Sequence, residues 1–346
     1  MVPAGYAYAR RVPPAPLLLA LDGNSLLHRA YHAGAAEGLL SPDGDPIWAL
    51  RGLIGYLARG TAQLRPDAVL IGFDCPVSSA RRDDYPAYKS HRPDKPGDLI
   101  AQLAVAPGLL RAAGICTVVP PAYEADDVLA SAAAASRRAG WRSVLMTSDR
   151  DAFALIDEST SVLRVRNGGF DEAVLIDEAA LPALYGVIPR QYRDFAALRG
   201  DPSDNLPGVR RFGATTAAKV FAAFGGLEAA WEADERLLRE AVGEQAAAHL
   251  RADTARTIVD RNRRIMRMRD DLPLPDLADT RLPLSLPVMR RAFRERGINL
   301  GPSLWALVDG PPPAEEAGLT PEFKPWVFRR GLAGRRDPTP GQLALF

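Results

Sequence analysis

The chain has 346 residues, 47% of them hydrophobic and 25% charged, which suits two modest domains of an ordinary globular protein. Its 43 basic and 42 acidic residues nearly cancel, so net charge decides nothing about a nucleic-acid partner and the placement of charge must speak instead. Two cysteines, Cys75 and Cys116, exclude a disulfide framework, and the most apolar stretch, Leu99 to Val119, is interrupted by Gln102, Pro107 and Arg111, which excludes a membrane span there.

Residues 1–15 read as a disordered lead-in without the apolar segment of a signal peptide, so a cytoplasmic, nucleoid-associated location is expected. From Pro16 short apolar runs alternate with amphipathic stretches. LLLAL (17–21), AVLIGF (68–73), ICTVV (115–119), SVLMT (143–147) and SVLRV (161–165) predict strands. Leu26–His32, Ala49–Leu64, Leu99–Ala112 and Asp126–Arg138 predict helices. This alternation predicts an α/β domain over 16–188, with a mostly parallel central sheet flanked by helices on both faces. After about Pro189 helical periodicity takes over, through Tyr192–Leu198, Thr215–Phe224, Leu227–Glu232, Gln245–Arg264 and Pro287–Glu295. A smaller helical domain is predicted over 189–308. Residues 309–346 form a tail rich in proline, glycine and arginine. All but four of the basic residues are arginine, so phosphate contacts would be mostly guanidinium forks.

Three predicted strands run into aspartate: LLLAL into Asp22, AVLIGF into Asp74, and SVLMTS into Asp149, with Asp151 two residues on. Ends of parallel strands share one sheet edge, where α/β proteins carry their sites. ICTVV leads into Tyr123-Glu124-Ala125-Asp126-Asp127 at a helix start, which adds three acids at that edge. Any one of these is also an ordinary turn former or helix cap; their convergence is what favours a site. Gathered carboxylates raise one another's pKa, and divalent cations remove that conflict. Oxygen donors without histidine or cysteine point to Mg²⁺ or Mn²⁺ rather than zinc. Two ions, roughly 3.5–4 Å apart, would make hydroxide and stabilise a leaving oxygen.

YEADDVLA (123–130), TSDRD (147–151) and ALRGDPSDNLPGV (197–209) resemble signatures of the bacterial 5′→3′ exonuclease and flap endonuclease family, which includes the N-terminal nuclease domain of DNA polymerase I. The resemblance runs from about Leu17 to Leu307, in the family's order. It implies a PIN/flap-endonuclease-like fold with a C-terminal helical domain containing a helix–three-turn–helix hairpin. It implies a first metal site from Asp22, Asp74, Glu124 and Asp126, with Asp127 nearby, and a second from Asp149, Asp151, Asp201 and Asp204. The last two come from the loop opening the helical domain, which the strand pattern does not reach. Arg150 stands where the family more often has lysine.

On composition alone, Arg81 to Arg92 reads as a solvated charged loop. The resemblance implies a helical arch near 76–98, through which a single-stranded 5′ flap passes. Lys89 and Arg92 would then contact the scissile phosphate and steady its charge. Tyr85 and Tyr88 would stack on an unpaired base, and Arg81 and Arg29 would be further DNA contacts. Residues 207–217, PGVRRFGATTA, resemble the family's hairpin. There Gly208, Arg210, Arg211, Gly213 and Thr216, with Lys219, would grip duplex DNA without reading its sequence. Arg211 stands where glycine is usual. It would obstruct a backbone approach or an associated K⁺ ion, or else add a phosphate contact. The terminal Gln342-Leu343-Ala344-Leu345-Phe346 resembles the QL-x-LF peptide that docks bacterial DNA enzymes on the sliding clamp, with Gln342, Leu343, Leu345 and Phe346 as the docking residues.

These features imply a monomeric, stand-alone 5′ flap endonuclease and 5′→3′ exonuclease using two Mg²⁺ ions, with Mn²⁺ as an alternative. Its substrate would be DNA with 5′ flaps, nicks or branches, in replication or repair. The length leaves no room for a polymerase domain. One rival is a weakly active DNA-junction binder of the same fold, against which Asp149, Asp151, Asp201 and Asp204 argue. The other is a PIN-like ribonuclease, a class that is typically shorter and lacks the hairpin.

Overall fold

The strand Leu17–Asp22 (β1) sends Leu18 and Ala20 into one core and Leu17, Leu19 and Leu21 into another. That period of two is what a strand buried on both faces requires. In the computed structural model, which describes residues 14–166, 169–299 and 301–312, β1 is central in a six-stranded sheet. Its neighbours are Ala68–Gly72 (β2) and Arg142–Thr147 (β4), both parallel to it. Cys116–Val118 (β3) extends the sheet beyond β2, and Thr160–Arg166 (β5) extends it beyond β4, again in parallel. Gly169–Ile176 (β6) closes the β5 edge as the antiparallel member. The sequence pattern missed β6. It is an edge strand, largely half-buried, and Asp171-Glu172 interrupts its apolar residues.

Helices Gly23–Gly34 (α1), Trp48–Leu64 (α2) and Gly97–Ala112 (α4) cover one face. Ala125–Arg138 (α5) covers the other, through Val128, Leu129, Ala132 and Ala133. Its alanines bring its axis close to the sheet. The core beneath α5 continues without interruption into the helical part, through Tyr192 and Phe195 of Pro189–Arg199 (α7), Phe221 of Ala214–Phe224 (α8) and Val259 of Asp253–Ile265 (α12). The helical part is therefore fused to the α5 face by shared apolar packing.

Beyond β6, three details after Pro189 differ from the sequence expectation. The stretch expected as one helix over Gln245–Arg264 is two, Glu244–Arg251 (α11) and α12, because Ala252 is extended. The helix Glu235–Val242 (α10) precedes them. Leu286–Glu295 (α13) and the following turns, expected in the helical domain, instead pack Met289, Phe293, Leu304 and Leu307 on the opposite sheet face, with α1, α2 and α4. An amphipathic helix declares that it has an apolar face, not which surface that face meets.

Two glycines position the acids of the helical part. Gly200–Asp201 (β7) and Leu206–Pro207 (β8) form a two-residue ribbon after α7. A Cβ on Gly208 would lie 2.0 Å from the Arg199 carbonyl oxygen, and one on Gly200, at φ +79°, would lie 2.2 Å from the Gly208 nitrogen. Only glycine permits this crossing. The buried Asn262 amide ties it down by donating to the carbonyls of Ala197 (2.8 Å) and Pro207 (3.0 Å). The bend between the two short strands presents Asp201 and Asp204.

Candidate metal centre

The chain leaves β1 toward β2 and β3 on one side, and β4 and β5 lie on the other. The crevice at the carboxyl ends of β1 and β4 is therefore the topological switch point, where ligands of such sheets bind. Asp22 ends β1 there, and Asp149 follows β4 by two residues. Asp22 caps α1, its Oδ1 accepting from Ser25 N–H at 2.9 Å, while Oδ2 accepts from Thr147 Oγ1 at 2.8 Å. Ser25 and Ser148 pair through their hydroxyls, stitching the two strand ends together. Asp74 and Asn24 pair reciprocally: Asn24 Nδ2 donates to Asp74 Oδ2 at 2.8 Å, and Asp74 N–H donates to Asn24 Oδ1 at 3.0 Å. The α5 N-terminus adds Ala125 N–H, 2.8 Å from Asp74 Oδ1. None of Asn24, Ser25, Thr147 or Ser148 was singled out in the sequence, because polar residues at strand ends read as turn formers.

Electrostatics join the acids. Burial, then the charges of Asp74 and Asp149, push Asp22 up to about 7 against its hydrogen bonds from Ser25 and Thr147. Burial, then Glu124, raises Asp74. Burial, then Asp22 and Asp149, raises Asp126 strongly. Burial, then Asp149, Asp201 and Asp204, does the same to Asp151. Burial also raises Asp204, although Lys89 and Arg92 oppose it. Glu124 is the exception: burial pushes it up, but Lys89 and Arg81 together hold it below its ordinary value. Asp149 thus acts on Asp22 and Asp126 on one side and on Asp151 and Asp204 on the other. Asp201 is anchored by Ser203, whose N–H and hydroxyl reach its Oδ1 at 2.8 and 2.6 Å.

Two cations face these acids. Lys89 Nζ lies 2.9 Å from Glu124 Oε2, and an Arg92 guanidinium nitrogen lies 2.6 Å from Asp204 Oδ1. The charges of Asp204 and Glu124 outweigh burial and raise the Lys89 ammonium above its ordinary value, so it stays charged at neutral pH.

Several residues expected to meet DNA are turned inward. Tyr88 is 3% exposed and donates its hydroxyl to Glu124 Oε2 at 3.1 Å, so it offers no face for stacking. Tyr85 is half-buried beneath the Arg261 guanidinium. Arg81 forms a two-pronged pair with Asp127, at 2.8 and 2.9 Å. Asp127 also accepts from the N–H groups of Glu124 (3.0 Å) and Arg269 (2.8 Å), so each of its oxygens takes two donors, where those of Asp22 and Asp74 take one each. Buried carboxylates require such partners, and the charged one here, Arg81, comes from the stretch expected as an arch. That stretch contains one short helix, Ala80–Asp84 (α3), followed by turns. Arg29 is half-buried beside Tyr56 of α2. Arg210, Arg211, Gly213 and Lys219 are exposed around the start of α8, and Thr216 is half-buried. Arg211 adopts φ +73°, the left-handed conformation that favours glycine. Gln342, Leu343, Leu345 and Phe346 lie outside the described residues.

Asp127 therefore reads as a strut. Asp127→Ala leaves the buried Arg81 unpaired and is expected to cost about 3–5 kcal/mol of stability, read from the urea unfolding midpoint. Unchanged stability with lost Mn²⁺ affinity would make Asp127 a ligand instead.

The acids suit a hard divalent cation. Asp126 Oδ1 and Asp151 Oδ1 are buried without hydrogen-bond partners, one in each group. The donors are carboxylate oxygens, which Mg²⁺ and Mn²⁺ prefer. Among the described residues no three acidic, histidine or cysteine side chains lie at ligating spacing. Lys89 and Arg92 lie against Glu124 and Asp204 and supply balancing charge there. The pH dependence follows. With Asp22 raised to about 7, the metal-free fold gains from binding a proton, and that gain is lost as pH rises through about 7. A divalent cation held there would replace the proton. The rise in Tm on adding saturating Mg²⁺ is expected to be larger at pH 8 than at pH 6, by a few degrees. An equal or smaller rise at pH 8 would refute this.

Residues 17–186 match the N-terminal resolvase-like domain of 5′–3′ exonucleases, and residues 187–285 match their C-terminal SAM fold. The thermostable DNA polymerase I of Thermus thermophilus is 36% identical over 311 residues, covering 89% of this chain and 35% of that protein. DNA polymerase I of Mycobacterium tuberculosis is 37% identical over 265 residues, covering 77% of this chain and 28% of that protein. The chain thus spans about a third of the length of these relatives. Among solved structures, the phage T5 D15 protein co-crystallised with metal ions has a TM-score of 0.58 at 17% identity, covering 81% of this chain and 97% of that one. Human GEN1 in complex with Holliday junction DNA has a TM-score of 0.52 at 15% identity, covering 84% of this chain and 69% of that one. These two likenesses concern the fold, a mostly parallel sheet flanked by helices. Two consecutive domains of one family, in order along most of its length, show that this chain belongs to the 5′–3′ exonuclease family.

Proposed function

We propose that the chain is a divalent-metal-dependent 5′ nuclease that hydrolyses DNA at 5′ flaps, nicks or branches. The observation that carries this is the gathering of acids around Asp149, whose N–H bonds the Thr147 hydroxyl that holds Asp22 and whose Oδ1 accepts from Asp151 N–H, with Lys89 and Arg92 set against Glu124 and Asp204. Asp22, Asp74, Glu124 and Asp126 would hold one ion; Asp149, Asp151, Asp201 and Asp204 would hold the second. Mg²⁺, or Mn²⁺ in its place, would supply there an activated water and charge neutralisation for phosphodiester cleavage. The chain's own residues do the rest. The pairings within Asp22–Ser25–Thr147 and Asp74–Asn24 fix the carboxylates in place. Lys89 and Arg92 offer fixed positive charge to the phosphate, which would exchange with Glu124 and Asp204 for these partners. Exposed Arg210, Arg211 and Lys219 would hold the duplex through its backbone, so register would come from shape rather than sequence. A K⁺ ion at the hairpin would have to share that turn with the Arg211 side chain.

The test is cleavage of a 5′-flap DNA oligonucleotide, with and without Mg²⁺, beside the matched RNA flap. Metal-dependent release of the DNA flap is expected. Exclusive cleavage of RNA would favour the PIN-like ribonuclease, and no cleavage of either in Mg²⁺ or Mn²⁺ would overturn the enzyme reading. We further propose that Gln342, Leu343, Leu345 and Phe346 dock on the bacterial sliding clamp. Deleting residues 342–346 should abolish clamp binding and spare flap cleavage; undiminished clamp binding by the truncated protein refutes it.

A further inference from the structure

Lys89 is held in a backbone conformation that lysine rarely adopts, φ +54°, and such a conformation persists only where its surroundings impose it. The surroundings are the loop of the helical part. Lys89 N–H donates to the Asp204 carbonyl at 3.0 Å, and Arg92 Nε donates to the Ser203 carbonyl at 3.0 Å. Next in that loop, Asn205 turns its side chain back toward residues 87–92, the strap that carries Lys89 and Arg92. Its Nδ2 donates to the Ala87 carbonyl at 2.8 Å and to Ser90 Oγ at 3.2 Å, bracketing Lys89. Asn205 itself sits at φ +57°, where asparagine is tolerated but glycine fits better. Conformation alone would therefore favour glycine, whereas the two amide hydrogens bonded to the strap require asparagine.

We propose that Asn205 is a positioning residue. It fastens the strap 87–92 to the loop bearing Asp201 and Asp204, and so fixes where the Lys89 ammonium stands between the two carboxylate groups. Lys89 already joins them, with its backbone on Asp204 and its ammonium on Glu124. Asn205 needs no contact with substrate. It acts through Lys89, and this deepens the nuclease reading on which it rests.

Asn205→Gly keeps the backbone conformation and removes the donor. Two measurements on the full chain test the proposal. In hydrogen exchange, the amides of residues 87–92 should exchange at least about tenfold faster in Asn205→Gly, with the sheet unchanged. In single-turnover cleavage of a 5′-flap DNA, Asn205→Gly should slow the chemical step about tenfold with little change in DNA affinity. Combined with Lys89→Met it should add less than about twofold, since both changes remove one function. Unchanged exchange of the strap overturns the proposal whether or not the protein cleaves DNA. So does a full multiplicative loss in the double variant. An inactive wild type with a loosened strap in Asn205→Gly would support the positioning role and discard the nuclease reading.

Discussion

Replacing Asp149 by alanine is expected to lower the single-turnover rate of 5′-flap cleavage by at least about a thousandfold, with little loss of DNA affinity. Every other acid of the centre acts mainly within one group, whereas Asp149 bears on Asp22 and Asp126 as well as on Asp151 and Asp204. Removing it should impair both ion positions at once. It is also exposed, unlike Asp22 or Asp204, so its loss empties no packed core and the fold should hold. Its Oδ1 accepts from Asp151 N–H at 3.0 Å, a local bond whose loss costs roughly 1 kcal/mol. A rate within tenfold of wild type would remove Asp149 from the centre.

Lys89→Met should lower the maximal rate about 100-fold to 1,000-fold, the range for losing one preorganised charge at a reacting phosphate. The Lys89 side chain is 17% exposed and that of Arg92 46%. Charge is worth more where water is excluded, so Arg92→Met should cost less than Lys89→Met. Arg81 stays 3.3 Å from Glu124, so that carboxylate keeps a counter-charge in the Lys89 variant. Equal effects of the two substitutions, measured as kcat on a flap substrate, would show that burial does not rank them.

The sequence revealed the sheet and its aspartates for one physical reason: apolar runs that end abruptly in a carboxylate leave few other readings. It was silent on Asp201 and Asp204 as members of the site, since the strands on either side of their turn are two residues long and leave no periodicity. Resemblance, not pattern, brought them in. Tyr88 misled for the opposite reason. An aromatic in a run of charge reads as exposed, yet Glu124 needs buried donors, and Tyr88 and Lys89 are what the chain supplies. Asp127 looked like a fifth acid of the first group. Arg81 with the N–H groups of Glu124 and Arg269 gives each of its oxygens two donors. The partners that fix the carboxylates, Asn24, Thr147 and Asn205, come from distant segments, so no local spacing announces them.

Two carboxylate groups would each hold one ion. Mn²⁺ titration of the full chain at neutral pH, followed by the electron paramagnetic resonance signal of free ion, tests it most directly. Two saturable ions per chain are predicted, falling to one when Asp201 and Asp204 are both replaced by alanine. A wild-type protein that takes up no Mn²⁺, or a double variant that still binds two ions, would contradict it.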